Sequence, residues 1–271
     1  MLERFRKQII IVIVYLIIFG LIAAGIYFLA VKPRLPSCFD NIQNQGEAGI
    51  DCGGPCSLCF WQLQKDIEII SAEAIKTLDN YVDLVAKIKN PNRDSGAKLF
   101  SYRFDLYDIN DNLIAFKGGS AYILPQQTRN IIEQKVRVEL GVSKTEFKII
   151  NIDWQKLVDY EDPELLIKNQ NIEEAEGITR LTATLENRSN YDFDTIDVLA
   201  VLYNKESKVV SVGKIDLRTV LSKENRYFEI SWFFPLQDRV STADVTAKTN
   251  VFLEENFMKR YGGEREKFQE Y

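Results

Sequence analysis

The sequence predicts a mainly β protein carried on one N-terminal transmembrane helix, with a short disulfide-rich module followed by two tandem antiparallel β-sandwiches. Three observations carry this expectation. A run of 23 residues without a charge lies near the N-terminus, at 9–31. All four cysteines fall within 22 residues, 38–59. Beyond residue 60 the chain breaks into short runs rich in Val, Ile, Tyr and Phe, and these recur at an offset of 96 residues.

As a helix, the run "IIIVIVYLIIFGLIAAGIYFLAV" is about 34 Å long, enough to cross a hydrocarbon layer of roughly 30 Å. It exceeds a signal-peptide hydrophobic region of roughly 7–15 residues, and "FLAVKPR" is a poor cleavage site. The expectation is an uncleaved signal anchor in the cell membrane. Arg4, Arg6 and Lys7 precede the run against one acid, Glu3, while only Lys32 and Arg34 follow before acids begin. That bias predicts a single pass with a cytoplasmic N-terminus and the bulk of the chain extracytoplasmic. The first 34 residues hold five Lys/Arg and one acid, which leaves 29 basic and 38 acidic residues in the rest. So acidic an ectodomain lacks the basic face that nucleic acid requires. The chain has no histidine, so the commonest general base and metal ligand is missing.

The module at 37–60 spaces its cysteines as C-x13-C-x3-C-x2-C, at Cys38, Cys52, Cys56 and Cys59. A four-cysteine zinc site needs two separated C-x2-4-C pairs, and Cys56 cannot serve both halves. An even count in a glycine-rich, outward-facing stretch reads as two disulfides, with three pairings open. Zinc and a redox centre are the competing readings. Asp40, Asn44, Glu47 and Asp51, with Gly46 and Gly49 among them, form a candidate calcium set, since hard cations take such oxygens from tightly turning loops. The competing reading gives these residues only turns to make. The pattern C-x-D-x-I-x-N-x-G-E-x-x-x-D-C-G-G-x-C, met here by Cys38, Asp40, Ile42, Asn44, Gly46, Glu47, Asp51, Cys52, Gly53, Gly54 and Cys56, resembles short cysteine-rich modules of surface proteins. The resemblance implies exposure rather than an activity.

From residue 81 the runs "YVDLVAKIKN", "LFSYRFDLYDIN", "LIAFKGGSAYIL" and "RNIIEQKVRVEL" are separated by Asn, Asp, Gly and Pro and read as short antiparallel strands. The second half repeats them. "RFDLYDINDNLIAF" at 103–116 aligns with "LAVLYNKESKVVSV" at 199–212, so that Leu106 falls on Leu202, Tyr107 on Tyr203 and Asp108 on Asn204. Upstream, "LVAKIKNPNR" at 84–93 aligns with "LTATLENRSN" at 181–190 after a one-residue gap, each strand ending in Asn. Downstream, "TRNIIEQKV" at 128–136 aligns with "ENRYFEISW" at 224–232. The boundaries expected are 1–36 for the N-terminus and anchor, 61–145 for the first sandwich, 146–255 for a linker and the second, and 256–271 for a polar tail.

The first copy contains Phe104-Asp105-Leu106-Tyr107-Asp108, which resembles the signature of the FxLYD family, small immunoglobulin-like sandwiches of bacterial and archaeal envelope proteins. The second copy has Ala200-Val201-Leu202-Tyr203-Asn204 there, so its assignment rests on the repeat. The resemblance implies an immunoglobulin-like fold and an envelope location, and it supplies no catalytic or cofactor-binding residues. On a strand, Phe104 and Leu106 share one face and Asp105 and Tyr107 the other, and packing is their expected role.

No G-x-S-x-G, Walker A or dinucleotide motif is present, and no catalytic residue is assigned. The acids of "DYEDPE" at 159–164 read as a solvated linker rather than a glycosidase pair. Asn187-Arg188-Ser189 fits a glycosylation sequon, and Trp61, Trp154 and Trp232 are the aromatics that could stack on a sugar. The expected function is non-catalytic: binding another envelope protein, or building a surface assembly. Two alternatives stand beside it, a receptor module for sugar or peptide and a metal or redox protein centred on the cysteines.

Overall fold

The computed structural model describes residues 2–30, 37–78 and 80–261. The end of the expected anchor segment, 31–36, and residues 262–271 of the expected tail lie outside these. The chain divides into two units, 1–63 and 64–271.

In the first unit, helix α1 spans Leu2–Ala30. Its segment Arg6–Tyr27 has a mean hydropathy of 3.1, and none of it is buried, so it is long and apolar enough to cross a membrane. A soluble surface helix keeps one polar face; this one is apolar all round. The module after it is stapled by Cys38–Cys56 and Cys52–Cys59. It contains one β-bridge, Gly49 to Cys52, and ends in a single 3-10 turn, Phe60–Leu63.

Among its described residues the second unit holds twelve strands, all paired antiparallel. The first six are β1 (Glu68–Lys76), β2 (Tyr81–Lys89), β3 (Ser95–Tyr107), β4 (Leu113–Ile123), β5 (Thr128–Arg137) and β6 (Lys144–Lys156). The second six are β7 (Leu165–Ala175), β8 (Ile178–Asn187), β9 (Phe193–Tyr203), β10 (Val209–Val220), β11 (Asn225–Trp232) and β12 (Thr242–Lys248). Sheets β1-β2-β5 and β4-β3-β6 form one sandwich; β7-β8-β11 and β10-β9-β12 form the other. Each strand thus has a counterpart six places later with the same neighbours. The architecture is the immunoglobulin-like pair of sandwiches that the patterning predicts.

Alternation fills each core. Leu84, Ala86, Ile88, Phe104, Leu106 and Phe147 meet inside the first sandwich. Leu181, Leu185, Ile196, Leu202, Phe228 and Trp232 do so inside the second. The two sandwiches also pack on each other. Ile75, Val85 and Ile132, from the outer face of β1-β2-β5, meet Leu199, Val201 and Val212, from the outer face of β10-β9. A second shared cluster joins Tyr122, Leu124 and Leu157 of the first sandwich to Val251, Phe252 and Phe257, with Tyr191 at its edge.

Three expectations need correction. The expected boundary at 145/146 falls inside β6, whose thirteen residues pair with β3 and close the first sandwich; its Ile and Trp alternate with polar residues on a half-covered sheet. Residue 256 does not open a solvated tail, because Phe257 is fully buried in the shared cluster and helix α2 (Glu255–Tyr261) carries it there. The downstream repeat runs at an offset of 97: Lys89 opposes Thr128, and Glu186 opposes Asn225. Strand β1, "EIISAEAIK", went unrecognised because its burial pattern barely alternates and most of its side chains are exposed.

Candidate functional site

Inside the cysteine module the candidate calcium residues are turned toward the backbone. Asp51 Oδ1 accepts from the N–H groups of Asp40 and Asn41, at 3.0 and 3.2 Å. Asp40 Oδ1 accepts from Ile42 N at 3.0 Å, and its Oδ2 from Asn44 Nδ2 at 3.0 Å. Glu47, buried, accepts from Asn44 N and Asp51 N at 3.2 and 3.3 Å. Each carboxylate therefore closes a turn, which accounts for the positive φ at Asn41, Gln45 and Asp51 that only a well-tied loop sustains. A Glu47 oxygen lies within 4.8 Å of the Cys38 and Cys56 sulfurs. Both sulfurs are bridged, however, and the described residues include no free cysteine, so no thiolate is available for zinc.

On β3 the motif divides as strand geometry requires. Phe104 and Leu106 are fully buried, and Phe104 packs edge-on to Phe147 at 4.8 Å between centroids. Asp105 lies on the outer face, its side chain 1% exposed beneath Arg103 and Lys148. Arg103 grips it with Nε at 2.7 Å and Nη2 at 3.1 Å, and Lys148 Nζ is at 2.8 Å. Burial pushes the carboxyl up, but the Lys148 and Arg103 cations outweigh it and hold it below the usual range. The neighbouring Glu146, between Lys144 and Lys148, is lowered to about 2. Phe116 stands exposed on the same face, opposite Asp105 and under the Arg103 guanidinium at 5.6 Å.

A cleft of about 530 Å³ opens between the two sandwiches, with Tyr122, Arg129, Asp197, Lys214, Thr249 and Glu254 in its wall. Arg129, from the head of β5, is 8% exposed. Its Nη1 donates to Tyr122 O at 2.7 Å, its Nη2 faces Asp197 of β9 at 3.3 Å, and its plane covers the Tyr122 ring at 4.1 Å. Burial pushes the Tyr122 hydroxyl pKa up. Burial also raises that of Glu254, whose carboxylate accepts from Asp194 N at 3.2 Å. Tyr102, the other aromatic in the wall, donates to Glu133 at 2.6 Å and is buried. The aligned open ring faces of a sugar receptor are therefore not in this wall. Sequence reasoning missed Arg129 and Asp197; a lone Arg heading the apolar strand "RNII" was the signal available.

The remaining candidates settle elsewhere. Trp232 is buried and donates from Nε1 to Val212 O at 2.9 Å, Trp154 packs against the first core, and Trp61 is exposed. Asn187 is wholly buried with its Nδ2 donating to Tyr191 O and Leu221 O at 2.9 Å, so the sequon nitrogen is engaged inside the fold. Of the linker acids, Asp162 pairs with Lys248 and Glu164 with Arg188.

No protein-family profile matches the sequence, and no curated protein matches it. Among solved structures, the crystal structure of a red sea bream transglutaminase is 12% identical over 68% of this chain, with a TM-score of 0.22. The match spans 31% of that enzyme's chain, and a likeness at this score carries no argument about fold or activity.

Proposed function

We propose that the chain is a membrane-anchored, extracytoplasmic protein whose two FxLYD-like domains act together as one non-catalytic binding or structural module of the cell envelope. The observation that carries this reading is the pairing of an apolar, wholly uncovered helix with two disulfides a few residues beyond it. Disulfides persist in oxidising compartments, and a positive N-terminal flank stays in the cytoplasm. The packing of the sandwiches supports joint action. Two apolar clusters and the part-buried Arg129–Asp197 pair hold them together, so the outer faces of β4-β3-β6, with Phe116 among charges, and of β7-β8-β11 are left for a partner. Alkaline phosphatase fused after residue 261 tests the placement, because that enzyme needs an oxidising compartment to form its own bridges. Active fusions are expected. Inactive ones, alongside active N-terminal fusions, would reverse the topology.

The inter-sandwich cleft favours a second reading, a receptor for a small polar ligand such as a short peptide. Its paired charges and hydroxyls can hydrogen-bond both donors and acceptors. A thermal-shift screen of the full chain against dipeptides tests it, with a shift abolished by Lys214→Ala as the supporting result.

A further inference from the structure

The cysteine module wears its apolar groups on the outside. Between residues 37 and 63 the buried positions are Glu47, Gly53 and Cys59, whereas Phe39, Ile42, Ile50, Leu58, Trp61 and Leu63 are exposed, Phe39 at 91%. Its interior is disulfide sulfur and carboxylate-to-amide bonds. Helix α1 shows the same inversion, and there lipid is the natural cover. The module's own bonds gather three of the exposed groups. Asp51 accepts from Asp40 N and Asn41 N, which brings the segment bearing Phe39 to the one bearing Ile50. Trp61 lies so close to Gly49 that a Cβ there would sit 2.5 Å from the ring, which places the indole beside Ile50's neighbour.

We infer that this module lies on the bilayer surface, with Phe39, Ile50 and Trp61 at the boundary between headgroups and acyl chains. The inference rests on the reading that α1 crosses a membrane. Helix α1 ends at Ala30 and the first bridge begins at Cys38; eight residues reach at most about 28 Å even when fully extended. The membrane is therefore always within reach, and docking is effectively intramolecular, so weak intrinsic affinity suffices. Tryptophan suits this boundary because its ring is apolar and its N–H remains wet. Residues 37–63 include no Lys or Arg, so the attraction is apolar, needs no anionic lipid, and on a zwitterionic surface is insensitive to salt.

The test uses the full chain in phosphatidylcholine nanodiscs, with ordinary or brominated acyl chains, and reads tryptophan emission. The chain has three tryptophans, and the other two belong to the sandwiches. Brominated lipid is expected to quench the wild type at low and high salt alike. Trp61→Phe should remove most of that quenching, and Phe39→Ser with Ile50→Ser should reduce it while mass spectrometry shows both bridges intact. A chain that co-elutes with the discs yet shows no bromine quenching, or whose quenching survives Trp61→Phe, overturns the surface docking and leaves the anchor standing. Failure to co-elute overturns both.

Discussion

The two sandwiches share one skeleton and differ in what covers their outer faces. Asn90 and Asn187 are both wholly buried and do the same work. Asn90 Nδ2 donates to Ser95 O and Leu124 O, at 2.7 and 2.9 Å, and Asn187 Nδ2 to Tyr191 O and Leu221 O. The next hairpin is likewise held twice, by Asp108 and by Asn204, with Asp111 and Ser207 in matching left-handed conformations. The difference lies one residue after Phe104 and Ala200. Asp105 faces outward under two cations, while Val201, on the same face of β9, is pressed against Val85 and Ile132 of the other sandwich. Backbone-directed polar groups are thus common to both copies, and the outward face of one strand is what lets the second copy be stacked upon.

Exchanging those two residues should break the comparison most strongly. Val201→Asp puts a carboxylate without a cation into the shared apolar layer, and a cost of about 4 kcal/mol is expected. Chemical denaturation should record that loss, and small-angle scattering of the solubilised chain should show the sandwiches separating. The reverse change, Asp105→Val, removes a buried charge whose two partners are almost half exposed. Such replacements are often close to neutral, so a change within about 1 kcal/mol is expected. A loss for Val201→Asp as small as that for Asp105→Val, within about 1 kcal/mol, would mean that the inter-sandwich layer contributes little.

The buried amides should respond alike. Asn90→Ala strands two buried carbonyls and Asn187→Ala two part-buried ones, and each should cost about 2 kcal/mol. A wide gap between the two would show that one copy uses its amide differently. Somewhat smaller is Gly96→Ala. A Cβ there would lie 2.6 Å from Phe252 and 2.8 Å from the Ile123 carbonyl oxygen, whereas the matching position in the second copy is occupied by Asp192. A loss of about 2 kcal/mol is expected, against the gain of roughly 0.5–1 kcal/mol that alanine brings to an unhindered position. Thermal unfolding of the variant distinguishes the two signs.

Most of the fold could be read from the sequence because its strongest signals are local. The 23-residue run, the even cysteine count and the strands with alternating polarity each follow from spacing alone. The docking of the sandwiches was a different matter, although a trace of it is present. Val198 to Leu202 is unbroken apolar sequence and is buried throughout, which is the pattern of a strand covered on both faces, whereas Tyr102 to Tyr107 alternates with Arg and Asp. Strand β6 falls across the expected 145/146 boundary because its membership of the first sandwich depends on pairing with β3, some forty residues earlier. The disulfide pairing could not be read at all, since spacing does not choose among three connectivities. Arg129 and Asp197 meet only because two sheets 68 residues apart in sequence come face to face.

The smallest difference between the copies is a single atom type, and acid should expose it. Asp108 accepts from Asn112 N at 2.9 Å and Asn112 Nδ2 at 3.1 Å, and from Asn110 N at 2.8 Å. These donors, Asn112 first, hold its carboxyl below its ordinary value. Asn204 receives the equivalent bonds from Lys208 N and Glu206 N through an amide oxygen that does not titrate. A carboxyl whose folded pKa is depressed contributes stability above the unfolded value, about 3.8 to 3.9, and loses it as pH falls through the folded one. Other paired carboxylates fade over the same range, so the informative quantity is the difference between wild type and Asp108→Asn. Urea midpoints measured from pH 5 to 2.5 should fall more steeply for the wild type below about pH 4. At neutral pH the variant's midpoint should stay near the wild-type value, because the second copy already holds this turn with asparagine. Parallel curves would mean that the Asp108 carboxylate is no better bound in the folded protein than in water, and that the turn is held by its backbone alone.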